Sequence, residues 1–410
     1  MRNSSRYIPS VILIIISYIY LISKNNYSVA TYTVLSACVI LITYRACKVN
    51  KTARLILAYA ILAITPVLTL TGQIGALTGF TRSEKGLPWL GVSFATLGIA
   101  FLVYRDKLHI KEIFLNILQP LRFSSGPVVN STLNHPPLTI AKSQIYFSWL
   151  ILGAFFYSVL AAGLAPLLFL KTSTHALDIF VFGIIFEIYV YLNFAGISFM
   201  VYGLLNLVGI PTTVNFNTPF ASKDIIEYWQ RWHLSFGAVL KEMFFNPLRK
   251  HLGLSITILV VFMMSAMWHG VTFNFITWGL FHGIAWMIAY RIARLPWSRF
   301  GFWLNIILLP IIVVLGRIIF AESDTSILMT KLNALFTPHW SKEAYVLNLS
   351  LDRKTTISVI AALLYITTEI LFFKISYRYK YLRKKSFTII LLVLIALFGS
   401  TGLESVYGAR

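Results

Sequence analysis

Acidic side chains are scarce in this chain: 14 Asp and Glu stand against 35 Lys and Arg, and charged residues make up only 12% of the total. Soluble globular chains carry about 25%. So little charge leaves too much apolar surface for a water-soluble fold of two or three domains, the ordinary expectation at 410 residues. Cysteine is nearly absent. Cys38 and Cys47 close one apolar run and suggest neither a disulfide framework nor a thiolate metal site. Also missing are a Gly-x-Ser-x-Gly elbow, a Walker-type phosphate loop and a dinucleotide glycine fingerprint, along with the reaction classes they serve. There is no internal repeat or low-complexity tract.

What is present is apolar. Hydrophobic residues reach 58%, against roughly 45–50% in soluble chains. Runs long enough to cross a hydrocarbon core of about 30 Å recur throughout. The pattern predicts an all-α polytopic membrane bundle, a single membrane domain over 1–410 with about eleven spans. They fall near 8–23, 28–46, 54–79, 88–104, 146–170, 176–207, 252–268, 271–291, 302–320, 356–375 and 386–402. No small-residue cleavage pattern follows Pro9–Ser23, which reads as a retained first helix.

The formal charge is +21. Its Lys and Arg lie between apolar runs, where cytoplasmic anchoring and anionic headgroups account for them better than nucleic acid does. With Arg2 and Arg6 inside, alternation also places inside Arg45 to Arg54, Arg105 to Lys111, Arg231 to Lys250, Arg291 to Arg299 and Arg378 to Lys385. The expectation is a plasma-membrane protein, N-terminus cytoplasmic and C-terminus outside. It requires 176–207 to be one long span, although Asn193 to Gly196 interrupts its apolarity.

Three connections, 105–145, 211–251 and 321–354, exceed simple turns. The third starts at Glu322-Ser323-Asp324 and continues as a short amphipathic helix to Phe336. In the second, residues 222–244 read as one amphipathic helix capped by Ser222 or Asp224. Its apolar stripe is Ile225, Trp229, Trp232, Phe236, Leu240 and Met243, flanked by Gln230, Arg231 and His233. An interfacial helix with incidental Arg and His is the plain alternative. Next come Met267-Trp268-His269-Gly270, then Thr272, Asn274, Trp278 and His282. Polar side chains at membrane depth are functional candidates. A histidine titrating near pH 7 suits a general base acting on an alcohol. The intervals between His233, His269 and His282 match no local metal-ligand pattern. Glu187 and Glu369 lie inside spans and need a Lys, Arg or Tyr partner. Such residues equally serve proton paths, so a non-catalytic transporter or flippase of a lipid-linked glycan or acyl group is the alternative.

Trp229-Gln230-Arg231-Trp232-His233-Leu234-Ser235, Trp268-His269-Gly270 and Trp278-Gly279-Leu280-Phe281-His282-Gly283 together resemble the membrane-bound O-acyltransferase superfamily. Within it they are similar to the bacterial branch of alginate O-acetylation and teichoic-acid D-alanyl transfer proteins. Asn193-Phe194-Ala195-Gly196-Ile197-Ser198, Asn215-Phe216-Asn217-Thr218-Pro219-Phe220, Ser125-Gly126-Pro127 and Phe320-Ala321-Glu322-Ser323 follow in family order, from about Gly91 to about Phe336. Asn193 stands for the family's Asp, Ile197 for its Tyr, and Lys241-Glu242 for its Arg-Asp.

The resemblance implies helices, some re-entrant or interfacial, around a central tunnel. A small acyl group, acetyl or D-alanyl, would pass from a cytoplasmic thioester donor to a hydroxyl of an envelope polysaccharide, teichoic acid or related glycan. That donor would be acetyl-coenzyme A or an acyl or D-alanyl carrier protein, with no tightly bound cofactor. His269 matches the residue regarded as catalytic and His233 its companion. Asn193, Ser198, Trp229, Arg231, Trp232, Ser235, Trp268, Asn274 and His282 are the candidates for binding substrate.

Overall fold

The computed structural model describes Leu41, Tyr44, Arg45, residues 50–63, 89–107, Val128, 138–210, 212–294, 298–336, 344–371 and 381–400. The first expected span, most of the second, Cys38, Cys47 and Ser125-Gly126-Pro127 lie outside the described residues. So do the basic residues Arg2, Arg6, Lys48, Lys111, Arg378 and Lys380.

Among the described residues every regular element is helical. In chain order they are α1 (51–63), α2 (Trp89–Tyr104), α3 (Ile140–Thr172), α4 (Ala176–Leu207), α5 (Ile225–Arg231), α6 (Leu234–Leu240), α7 (Asn246–His269), α8 (Phe273–Ile292), α9 (Ser298–Ala321), α10 (Thr325–Phe336), α11 (Arg353–Leu371) and α12 (Lys385–Phe398). α3 passes through a π-helical turn, Phe156–Ala161, and closes as 3₁₀ helix, Ala165–Thr172.

Among the described residues five segments are long and apolar enough to cross a bilayer: Ile140–Thr172, Ala176–Leu207, Leu234–His269, Arg299–Ala321 and Arg353–Leu371. About eleven spans were expected, so the described residues yield fewer. At 1.5 Å per residue, the 16 residues of α2 and the 14 of α12 fall short of a core about 30 Å thick. α8 has the length, but Asn274 and His282 dilute its apolarity. The result is nonetheless an all-α membrane bundle.

The interruption near Asn193 does not break α4, which runs unbroken and buried through the middle of the bundle. Small residues there serve helix contact instead. A Cβ on Gly196 would meet Tyr157 N at 2.9 Å and Gly153 O at 3.0 Å, and one on Gly203 would meet Leu150 N at 2.7 Å. α3 and α4 therefore cross with their backbones nearly touching, the usual solution where lipid gives no hydrophobic drive to association.

The expected single helix over 222–244 is corrected. α5 stops at Arg231, His233 takes a left-handed conformation (φ 44°, ψ 60°), and α6 restarts at Leu234. The apolar stripe gave no sign of the break, because the break is imposed from outside. The loop that follows α4 lies alongside and takes the backbone groups that a continuous helix would use. Asn217 N donates to Arg231 O (2.9 Å), and Leu234 N donates to Asn215 O (2.8 Å).

Beyond α6 the chain passes through a π-turn, Lys241–Phe245, into α7. Pro247 has no N–H, so the carbonyls three to five residues back lose a donor. Two tyrosines replace it: Tyr59 OH donates to Met243 O (2.6 Å) and Tyr104 OH to Glu242 O (3.1 Å). Arg105 pairs with Glu242 as well. α1 and α2 are thereby fastened to the α6–α7 junction, with Leu97, Phe101, Met243 and Trp268 in one apolar cluster.

Candidate active site

α7 ends at His269 because Gly270 (φ 158°, ψ 165°) leaves the helical region. Its carbonyl-rich terminus meets α8 with only three residues between. The His269 ring is set among aromatics: Trp268 at 4.9 Å, Phe320 at 5.0 Å, and Phe275 and Trp278 each at 5.9 Å between centroids. Asn274 Nδ2 donates to Phe320 O (3.3 Å), tying the start of α8 to the end of α9 beside that ring.

His233 owes its place to the turn described above. Its Nδ1 accepts from Phe236 N (3.3 Å), so the imidazole caps the helix that follows it. Asn215 Oδ1 accepts from Ser235 N (3.3 Å), giving the brace a side-chain contact as well. Arg231 holds the other side of the turn, donating to Thr218 Oγ1 (3.0 Å), Asn217 O (3.3 Å) and Glu227 Oε1 (2.7 Å). Asp224 caps α5 through Glu227 N (2.7 Å). Burial raises the Glu227 carboxyl, but Lys223 N and the Arg231 guanidinium outweigh it and hold the group below its usual range.

His233 and His269 line one cavity of about 710 Å³. Trp229, Trp232, Trp268, Trp278 and Phe320 share its wall with Ser265 and Arg317. The exposed residues Gln230, Ala238 and Lys241 mark where it reaches the surface.

The other expected binding residues lie behind that wall. Arg231 braces the turn. Ser235 Oγ accepts from Val128 N (2.9 Å), anchoring a distant segment. Asn193 and Ser198 are fully buried on α4, and neither the Asn193 amide nor Ser198 Oγ has a hydrogen-bond partner among the described residues. His282 is packed against Trp229 (5.0 Å) and Trp278 (4.9 Å) under Gly316, which leaves no room for a Cβ beside the imidazole. No group of three or more His, Cys, Asp or Glu comes together in metal-binding geometry among the described residues.

Arg317 is the wall residue that the sequence reading passed over. It sits near the end of α9, and its Nε donates to Glu187 Oε2 (2.5 Å). Tyr228 OH donates to Glu187 Oε1 (2.5 Å). The Arg317 guanidinium lies 5.3 Å from the Trp232 ring and 5.5 Å from Phe320. The same rule that singles out Glu187 within a span applies to an arginine within a span, so the signal was present. Glu369, the other intramembrane carboxylate, accepts from Tyr191 OH (2.7 Å), Tyr365 OH (2.8 Å) and Phe220 N (3.1 Å).

Residues 145–323 match the model of MBOAT, the membrane-bound O-acyltransferase family. The chain is 28% identical over 240 residues to a teichoic acid D-alanyltransferase of Streptococcus thermophilus, covering 50% of this chain and 58% of that one. It is 28% identical over 246 residues to a peptidoglycan O-acetyltransferase of Helicobacter pylori (54% and 46%). It is 24% identical over 225 residues to a probable alginate O-acetylase of Azotobacter vinelandii (48% and 45%). The chain thus spans about half the length of the curated relatives it matches. The matched segment contains both histidines, Arg317 and the cavity between them, so it is over the candidate site that this multi-pass membrane chain is similar to the membrane-bound O-acyltransferase family.

Proposed function

We propose that the chain transfers a small acyl group, acetyl or D-alanyl, from a thioester to a hydroxyl of an envelope glycan or teichoic acid. The observation that carries the reading is the shared cavity of His233 and His269. Two imidazoles 36 positions apart in sequence face one aromatic-walled space open to the surface, which suits acyl transfer better than a purely structural role.

His269 acts as general base. It takes the proton of the acceptor hydroxyl as that oxygen attacks the thioester carbonyl. The carbon–oxygen bond forms, a tetrahedral oxyanion develops, the carbon–sulfur bond breaks, and the proton passes to the departing thiolate. The products are an ester and a free thiol. Arg317, held by Glu187, supplies charge on the wall where the oxyanion develops, and His233, whose Nδ1 accepts from Phe236 N, supplies a donor through its other ring nitrogen. The apolar wall excludes water that would hydrolyse the thioester.

The donor, acetyl-coenzyme A or an acyl or D-alanyl carrier protein, arrives on the cytoplasmic face, where the excess of Lys and Arg steers an anionic partner. The acceptor glycan comes from outside. The protein lies in the plasma membrane with its N-terminus cytoplasmic and its C-terminus outside, as the distribution of basic residues supports. The test is His269→Ala in the cell that makes this chain, with mass spectrometry of the envelope polymers. Loss of one class of ester, with the protein still folded in the membrane, is the expected result. Retained ester would overturn the reading.

A further inference from the structure

We infer that the transferred group is uncharged, of acetyl type, and that the cavity discriminates against the cationic D-alanyl group; the inference rests on the acyltransferase reading above and chooses between its two branches. The wall of the histidine cavity carries two fixed cations, Arg317 and Lys241, and not one Asp or Glu among its described lining residues. A D-alanyl thioester brings a primary ammonium to within one carbon of the reacting carbonyl. That ammonium would have to enter the same space as the two imidazoles.

An ammonium taken out of water needs either a carboxylate or a full set of acceptors. Glu187 supplies neither. It lies behind the wall, its Oε2 accepts from Arg317 Nε at 2.5 Å and its Oε1 from Tyr228 OH at 2.5 Å. Its charge already serves Arg317. Glu242, next to Lys241, is likewise engaged by Arg105.

The aromatic wall offers a cation a further attraction, through ring faces. Two of those rings are already engaged. Arg317 lies over Trp232 at 5.3 Å, and that indole also stacks on Tyr228 (5.6 Å, 21°). Trp229 is hemmed by Trp278 at 5.5 Å and His282 at 5.0 Å. A methyl group asks for none of these partners and is served by the apolar ring set around His269. Excluding a competitor by like charge is an ordinary route to specificity. With the Glu187 carboxylate already committed to Arg317 and an ammonium, Lys241, at the mouth, a preference of roughly tenfold for the uncharged acyl group follows from the missing partner.

The experiment compares envelope polymers from three versions of the cell that makes this chain: with the full chain, without it, and with His269→Ala. Purified polymers are treated with mild alkali, and the released acetate and D-alanine are each quantified. Acetate that depends on the chain and on His269, in at least tenfold excess over any D-alanine with the same dependence, is the expected result. D-alanine with that dependence at more than a tenth of the acetate overturns the inference and leaves the acyltransferase reading standing. If neither acid depends on the chain, the acyltransferase reading itself fails and the inference falls with it.

Discussion

Glu187 on α4 and Arg317 on α9 meet inside the bundle at 2.5 Å, with 3% and 9% of their side chains exposed. The pair is buried on both sides, so the two residues stand or fall together. Glu187→Gln leaves the Arg317 charge uncompensated, and Arg317→Met leaves Glu187 alone. Each is expected to cost about 3–5 kcal/mol. The double substitution Glu187→Gln with Arg317→Met is expected to recover part of that loss. Thermal unfolding of the three variants in detergent, followed by loss of the monodisperse peak, measures the coupling. Additive losses would show that the pair contributes nothing jointly.

His233 is expected to tolerate asparagine better than valine. Its backbone is left-handed, which asparagine accepts readily and a β-branched residue does not. His233→Asn keeps a helix-capping side chain and should fold, isolating the effect of losing the imidazole on ester formation. His233→Val should lower the yield of folded protein, with destabilisation of about 1–3 kcal/mol. Equal yields for the two variants would remove backbone strain from the account.

Tyr59→Phe deletes one hydroxyl and leaves Met243 O, stripped of its helical donor by Pro247, without the replacement at 2.6 Å. The expected loss is about 1–3 kcal/mol. Limited proteolysis should show the α1 side releasing before the rest. The same cleavage pattern as wild type would mean that the tyrosine does not fasten the junction.

Gly196→Val places a branched side chain where α3 and α4 touch, against Tyr157 N at 2.9 Å and Gly153 O at 3.0 Å. Backbone atoms cannot step aside as a flexible side chain would. We expect the variant to be recovered at a small fraction of the wild-type level, whereas Gly237→Ala, with open space around it, should be recovered normally.

Glu322, just past the end of α9, pairs with Lys331 on α10 at 2.6 Å, and Lys331 Nζ also donates to Lys171 O at 2.5 Å. Burial raises the Glu322 carboxyl, but the hydrogen bond and charge of Lys331 outweigh it and hold the group below its usual range. A carboxyl whose folded pKa is depressed stabilises the fold above its unfolded value, about 4.3, and that contribution fades as pH falls through the folded value. Docking of α10 should therefore weaken in acid. In Glu322→Gln this acid-dependent component should vanish. Protease accessibility of 325–336 as a function of pH reads it directly.

The backbone of this fold is legible where one physical rule dominates. The segment 176–207 is long and apolar, and charge alternation demands a single crossing, so α4 was expected with its observed ends. Trp268-His269-Gly270 reads as a junction because two apolar runs meet there. Of the two candidate caps, Ser222 and Asp224, it is Asp224 that caps. The rest is hidden by tertiary contact. Nothing within 222–244 announces a break at Trp232–His233, since the hydrogen bonds that cause it come from Asn215 and Asn217. Arg231 has the look of a substrate ligand by its neighbours, yet its donors go to Thr218, Asn217 and Glu227. Glu187 and Arg317, 130 positions apart, declare a need for partners in sequence but not who the partner is.

Two of the contacts between 215–217 and 231–235 run wholly through the main chain, so they are blind to the identity of the side chains they join, and Asn215 and Arg231 add one side-chain bond each. Replacements at the intervening positions other than Thr218, Asp224 and Glu227 can accumulate without moving the imidazole. Removing even one residue between Phe216 and Gln230 would instead slip the two strands of this clasp past each other, and His233 would be carried out of the chamber it shares with His269. Length, more than chemistry, is what this stretch of chain must keep.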